Sequence, residues 1–427
     1  MKPKLRSALF CSFCVAFTLQ AATTHDITTL GAKGDGETLN TRIIQDAINA
    51  CKPGDTVLIP AGTFTSGALF LKSDMTLQID GTLKGSTNVS DYPIIPCRFE
   101  GFEMDCYASL LTLGNRDRTG PYNITNVVIT GSGTIDGSGR ALGNAQKAKS
   151  GNRSRGRAIC IMNAQNVTVR GITVSYGPAW TIHAIYSDDL LFDGLRLISK
   201  NPEYRIHNGD GIDPDSCTHV TITNCYFHTG DDSIAIKSGK NLDGYTAAKP
   251  SAHILVANCI IDGSNGGIVI GSEMSGSVRH VLVTNCVIKN IGWEGLDIKS
   301  SVGRGGTVED VTFSHITMNK VRIGVRLSMA YHVNNDGTPA PVPPTFRNIR
   351  AENITCTGGA GTAIQIVGLT NSPVSNVVFE NCDLVSRNGV TVDHADGITF
   401  TNVTIRNSAG PKFTVTNSKR IIGAGNE

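Results

Sequence analysis

Over most of the chain, apolar and polar residues alternate with a period of two in short runs closed by Asn or Gly. The clearest copies are Val220-Thr-Ile-Thr-Asn-Cys225, Ile254-Leu-Val-Ala-Asn-Cys259, Val281-Leu-Val-Thr-Asn-Cys286 and Val377-Val-Phe-Glu-Asn-Cys382. Weaker copies end at Ile172, Leu195, Ile316, Ile354 and Val403, and successive copies lie 21 to 38 residues apart. Short β-branched runs of this kind are strands. One such strand cannot bury its apolar face alone, but coils stacked at ~4.8 Å join their strands into parallel sheets around one core. The repeat therefore predicts an all-β solenoid, a parallel β-helix with two strands in each coil. Helical periodicity is confined to Asn40 to Cys51, where Ile43, Ile44, Ala47 and Ile48 form one stripe behind Asn40 as N-cap. That helix is expected to plug the open N-terminal end, where strand edges would otherwise be unpaired.

A second pattern aligns in register. Asp210-Gly-Ile-Asp-Pro-Asp-Ser216 lines up with Asp232-Ser-Ile-Ala-Ile-Lys-Ser238, then with segments beginning at Gly266, Glu294 and Ile323. The repeated aliphatic positions point inward and the residues between them outward. Asp210 and Asp232 thus share a column in consecutive coils. Asp231 adjoins them with Asn265 beneath it, Lys237 and Lys299 share an outward column, and Asp297 and Arg326 share another. Hydrolysis of a glycosidic bond needs a protonated carboxyl to protonate the leaving oxygen and a carboxylate to activate water, about 6.5–9.5 Å apart when the chemistry inverts. Crowded carboxylates raise one another's pKa, which keeps a proton on the acid. A lone Asp-Gly is more often a turn, and a calcium site or an aspartate ladder is the competing structural reading.

Composition narrows the class. Lys2, Lys4 and Arg6 precede an apolar run from Ser7 to Leu19 that ends in small residues, the pattern of a signal peptide over residues 1–22. Its removal takes the formal charge from +2 to −1, so nothing global favours nucleic acid or a membrane surface. Residues 23–427 are expected to form one exported domain, periplasmic or extracellular, and a monomer. Ten of the twelve cysteines remain in the mature chain with no zinc-type spacing. Several fall at inward repeat positions, where a free buried thiol is expected. No cofactor or metal is called for.

These motifs resemble glycoside hydrolase family 28, the polygalacturonases. Asn208-Gly-Asp-Gly-Ile-Asp-Pro-Asp-Ser216 is similar to the family's Asn-Thr-Asp-Gly segment, and Gly230-Asp-Asp-Ser-Ile-Ala-Ile-Lys-Ser-Gly239 to its Asp-Asp segment. Gly271-Ser-Glu-Met-Ser-Gly276 is similar to the block after its His-Gly motif. Leu296-Asp-Ile-Lys299, followed by Gly303-Arg-Gly-Gly306, resembles its Arg-Ile-Lys segment. Leu30 to Gly36, Ile59 to Thr63 and Gly131 to Gly137 extend the resemblance over almost the whole mature chain. It implies a single-stranded right-handed parallel β-helix, a pectin-lyase-like solenoid. It implies a glycosidase that cleaves the α-galacturonosidic bonds of pectin with inversion, and by exo attack as in the family's bacterial exo-polygalacturonases. By the same resemblance Asp231 is the general acid, Asp210 and Asp232 hold the water, Lys299 binds a substrate carboxylate and Tyr331 lines the site. Asn208 and Asn265 join the substrate-binding set.

Two positions depart from the pattern, with Asn265 for the family's histidine and Asp297 for its arginine. Asn cannot carry a charge, and Asp repels a galacturonate carboxylate that Arg would clamp. Arg326, one coil on, is expected to pair with Asp297 and return a guanidinium to the site, the alternative being a solvated residue. Without that compensation a rhamnogalacturonan hydrolase becomes the better reading. A calcium-dependent pectate lyase and an inactive carbohydrate-binding β-helix are the other two. Trp180 and His183 stay open between facing the cleft and packing. The run of six basic residues from Arg140 to Arg157 stays open between gripping a polyanion and a solvated loop. Lys240 to Pro250 and His332 to Pro344 are expected as loops over one rim.

Overall fold

The computed structural model describes residues 22–332 and 336–424. All but the last residue of the expected signal peptide lies outside the described residues.

The repeat becomes a right-handed parallel β-helix. Each coil carries three strands, one more than expected. In one coil these are Ile182–Ile185, Asp188–Asp193 and Arg196–Ile198. Each pairs in parallel with the equivalent strand of the coils before and after, so three sheets run the length of the molecule. The third strand escaped notice because it is three residues long, too short to alternate visibly.

The Asn of each repeat marks a corner. Asn224, Asn258, Asn285 and Asn381 take φ of 56°, 57°, 53° and 53°, a left-handed conformation that Asn tolerates better than most L-residues. Stacked amides reinforce the corners: Asn402 Nδ2 donates to Asn381 Oδ1 at 2.7 Å. The Cys that follows turns inward. Cys225, Cys259, Cys286 and Cys382 lie in the apolar core, and all ten described cysteines are buried free thiols, as expected.

The helix Thr41–Ala50 closes the N-terminal end with Ile44, Ala47 and Ile48 buried. Asn40 does not cap it through its side chain. The amide instead clasps the preceding loop, accepting from Lys33 N at 2.8 Å and donating to Thr38 O at 2.7 Å.

A hairpin of Ile94–Phe99 and Phe102–Tyr107 lies over the outward face of the first sheet. With Cys97, Phe99, Cys106, Cys160, Met162 and Trp180 it makes a second apolar cluster. This cover explains why the outward-pointing His183, Asp213 and Asp215 are fully buried. Arg98 of the hairpin meets Asp215 at 2.7 Å, which keeps the carboxylate from being stranded. The basic segment is no solvated loop: it holds the helix Gly139–Ser150 and a turn that buries Arg155 and Arg157. A helix Asn241–Ala247 follows the strand Asp232–Ile236. No helix among the described residues is long and apolar enough to cross a membrane.

Candidate active site

The three aspartates come from the ends of two consecutive strands in one sheet. Ile212 pairs with Ile234, which sets Asp210 beside Asp232, and Gly211 N donates to Asp232 O at 3.0 Å. Oxygens of Asp210, Asp231 and Asp232 lie within 4.8 Å of one another. Gly266 sits one coil on from Asp232, and a Cβ there would come 2.2 Å from Asp232 Oδ1. The missing side chain is what gives that carboxylate its place.

The trio lies in a cavity of about 800 Å³. Asn208, Trp293, Lys299, Arg322, Arg326 and Tyr331 line it together with Lys237 and Glu273. Lys299 Nζ meets Asp232 at 2.8 Å and lies 5.3 Å from the Tyr331 ring centroid. Asn208 Oδ1 accepts from Arg155 at 2.7 Å, which fixes its amide at the cavity edge. Arg326 pairs with Asp297 as expected, Nε to Oδ1 at 2.9 Å and Nη2 to Oδ2 at 2.6 Å, and its third nitrogen reaches Glu294 at 3.0 Å. It lines the cavity half-buried.

Other expectations need correction. His183 lies beneath the hairpin and does not line the cavity; it makes an edge contact with Trp180 and meets Asp215 at 3.4 Å. Burial pushes its pKa down to about 4, so it stays neutral. Trp180, open between two roles, both packs on Phe99 at 4.9 Å between centroids and lines the cavity. Asn265 also stays outside the lining. Its amide donates to Gly230 O at 2.7 Å and accepts from Lys200 at 3.1 Å, so it braces the turn that carries Asp231.

Sequence reasoning missed a second set of groups. Lys237 Nζ is buried within 3.6 Å of Asp210, 3.9 Å of Asp213 and 3.3 Å of Glu273. Burial alone would discharge it, but Glu273, Asp213 and Asp210 hold it protonated. Glu273 is pulled down to about 2, burial being outweighed by Lys237 and Arg304. The alignment had put Lys237 in its outward column; the signal overlooked was Asp213 in the column beside it. Trp293, half-buried in the cavity wall, is an aromatic surface that the sequence did not single out.

Burial raises two of the three carboxyls. Burial, and then the charge of Asp232, raise Asp231 to about 6. Burial and the charges of Asp213 and Asp231 also raise Asp210. Asp232 has Lys299 as its partner. The nearest oxygens stand closer than the expected 6.5–9.5 Å gap, but a water bonded to two oxygens at about 2.8 Å each spans up to about 5.6 Å, so one fits.

Residues 52–408 match the family model described as Glycosyl hydrolases family 28. An exo-poly-alpha-D-galacturonosidase of Dickeya chrysanthemi is 31% identical over 90% of this chain and 71% of its own length. Among solved structures, an exopolygalacturonase of Thermotoga maritima is 28% identical with a TM-score of 0.77, covering 91% of this chain and 93% of its own. A family 28 exopolygalacturonase of Yersinia enterocolitica is 26% identical with a TM-score of 0.85, covering 94% and 78%.

Proposed function

The chain belongs to glycosyl hydrolases family 28, and from that premise we propose that it is a polygalacturonase that hydrolyses the α-galacturonosidic bonds of pectin, from chain ends and with inversion. The observation that carries this reading is the trio itself: Asp231, raised to about 6, beside the stacked Asp210 and Asp232. Asp231, protonated below that pH, donates to the leaving oxygen. Asp210 and Asp232 hold the water between them, and Asp232, paired with Lys299, takes its proton. Trp293 offers a flat face for a sugar ring. Lys299, Arg326 and Arg322 supply the positive charge that a uronate carboxylate requires.

Exo attack is supported by the relatives, whose names describe exo enzymes, and by a wall on the cavity. Arg153 joins Glu100 of the hairpin at 2.7 Å to Asp336 at 2.6 Å, and Lys240 also holds Asp336, at 2.5 Å. Glu100, Met104 and Arg153 line the cavity, and a wall of this kind suits a chain end better than a passing chain. Residues 1–22 carry the pattern of an export signal, which fits action on a polysaccharide outside the cell.

The test is product analysis on polygalacturonate and rhamnogalacturonan side by side, with Asp231→Asn as control. Release of short saturated galacturonides from polygalacturonate, abolished in the variant, is the expected result. Cleavage of rhamnogalacturonan alone moves the activity to that substrate. Unsaturated products that absorb in the near ultraviolet overturn hydrolysis.

A further inference from the structure

We propose that a basic cavity beside the helix Gly139–Ser150 is a second binding site, which takes a uronate carboxylate of the pectic chain outside the catalytic cleft. This rests on the pectin reading above and adds a site to it.

The cavity, of about 170 Å³, is lined by Arg140, Lys147, Arg155, Arg205, His207 and Tyr204, and no acidic residue lines it. The catalytic cleft is different, because its Arg153, Lys237, Lys299, Arg322 and Arg326 are each paired with Asp or Glu side chains. Arg140, Lys147, Arg155 and Arg205 make no ion pair with a carboxylate among the described residues, whereas Arg98, Arg118, Arg153, Arg322 and Arg326 all do. Arg155 is the anchor. It is 3% exposed, and its guanidinium donates to the carbonyls of Asn152, Pro178 and His207 at 2.8, 3.0 and 2.6 Å. A buried cation held only by neutral groups is costly, and an incoming carboxylate relieves that cost.

The neighbouring charges crowd one another. Burial lowers the His207 pKa, and Arg155, Lys147 and Arg205 lower it further. Mutual repulsion of this kind marks a pocket prepared for an anion. The shape also suits a sugar acid. Arg140 lies over the Tyr204 ring at 4.5 Å, and Tyr204 leans on Tyr176 at 5.6 Å, so the aromatic pair holds that guanidinium at the cavity wall. Asn152, Arg205 and His207 line both cavities, so the second site borders the first. It takes Arg140, Lys147 and Arg155 of the basic run, of which the catalytic cleft uses Arg153.

The test is the double variant Arg140→Glu/Lys147→Glu. Both residues are exposed, and neither lines the catalytic cleft. Initial rates are measured on trigalacturonate and on polygalacturonate, each at low and at high salt. The variant should lose about tenfold in kcat/KM on the charged polymer, through KM, the value of one charge-assisted contact. Its rate on trigalacturonate should match wild type, which also shows that it folds. The neutral double variant to Gln should fall between the two, and high salt should shrink the difference. A wild-type polymer-to-trimer ratio in the Glu variant overturns this site while the pectin reading stands. A wild-type enzyme inert on both galacturonides overturns the pectin reading and this site with it.

Discussion

Arg326→Ala tests the account of the departure at Asp297. Asp297 is 1% exposed, and both its oxygens are taken by Arg326 at 2.9 and 2.6 Å. Burial raises its pKa even with Arg326 in place, so the pair is held in a setting hostile to a bare carboxylate. Truncating Arg326 strands that charge, and the expected cost is about 3–5 kcal/mol. Glu294 loses one partner but keeps Arg322, so the larger share falls on Asp297. The assay is urea denaturation followed by circular dichroism. Asp297→Ala/Arg326→Ala should recover most of the loss, because the stranded charge is gone; the coupling should be about 0.5–3 kcal/mol. The deficit of Arg326→Ala should also shrink on mild acidification, as protonation neutralises Asp297. A single variant within about 1 kcal/mol of wild type, or a double variant no more stable than Arg326→Ala, refutes the reasoning. Activity should separate from stability, since the double variant, although refolded, still lacks the guanidinium and should have a raised KM on polygalacturonate.

Three further outcomes follow from the same geometry. With Asp231 raised to about 6, kcat/KM should fall tenfold per pH unit above about pH 6, because the acid loses its proton; a flat profile to pH 8 contradicts the assignment. Glu273 has its pKa lowered from 4.5 to about 2, so its contribution of about 3 kcal/mol is complete above pH 4.5 and is lost as pH falls toward 2. Glu273→Gln should therefore destabilise the enzyme at pH 6 much more than at pH 3, read as denaturation midpoints. Gly266→Ala places a Cβ 2.2 Å from Asp232 Oδ1 and should cut kcat by at least tenfold at near-normal stability; unchanged kcat contradicts the tight seat of Asp232.

The solenoid was legible because its signal repeats. Most coils carry an Asn or Gly at a left-handed corner and a Cys or aliphatic residue behind it, so one weak copy is supported by the next. The column alignment also placed Asp210 beside Asp232 and Arg326 beside Asp297, since a parallel sheet preserves register from coil to coil. What the repeat could not show is what covers its outer faces. Outward positions were read as solvent-facing, yet the hairpin Ile94–Phe99/Phe102–Tyr107 buries three of them, so His183 became a packing residue. Long-range insertions carry no period that ties them to the coil they cover. Asn265 shows a second limit: its position in the column was right, but its amide turns to the Gly230 carbonyl instead of the cleft. The helix Gly139–Ser150 went unread because it has no side-chain N-cap hydrogen bond and little apolar face.

The central claim is that Asp231 donates a proton while Asp210 and Asp232 direct water to the opposite face of the sugar. Time-resolved proton NMR of the reducing end first released from polygalacturonate tests it most directly. The account predicts that the β-anomer appears first and then mutarotates. An initial α-anomer, or an unsaturated uronate in its place, contradicts it.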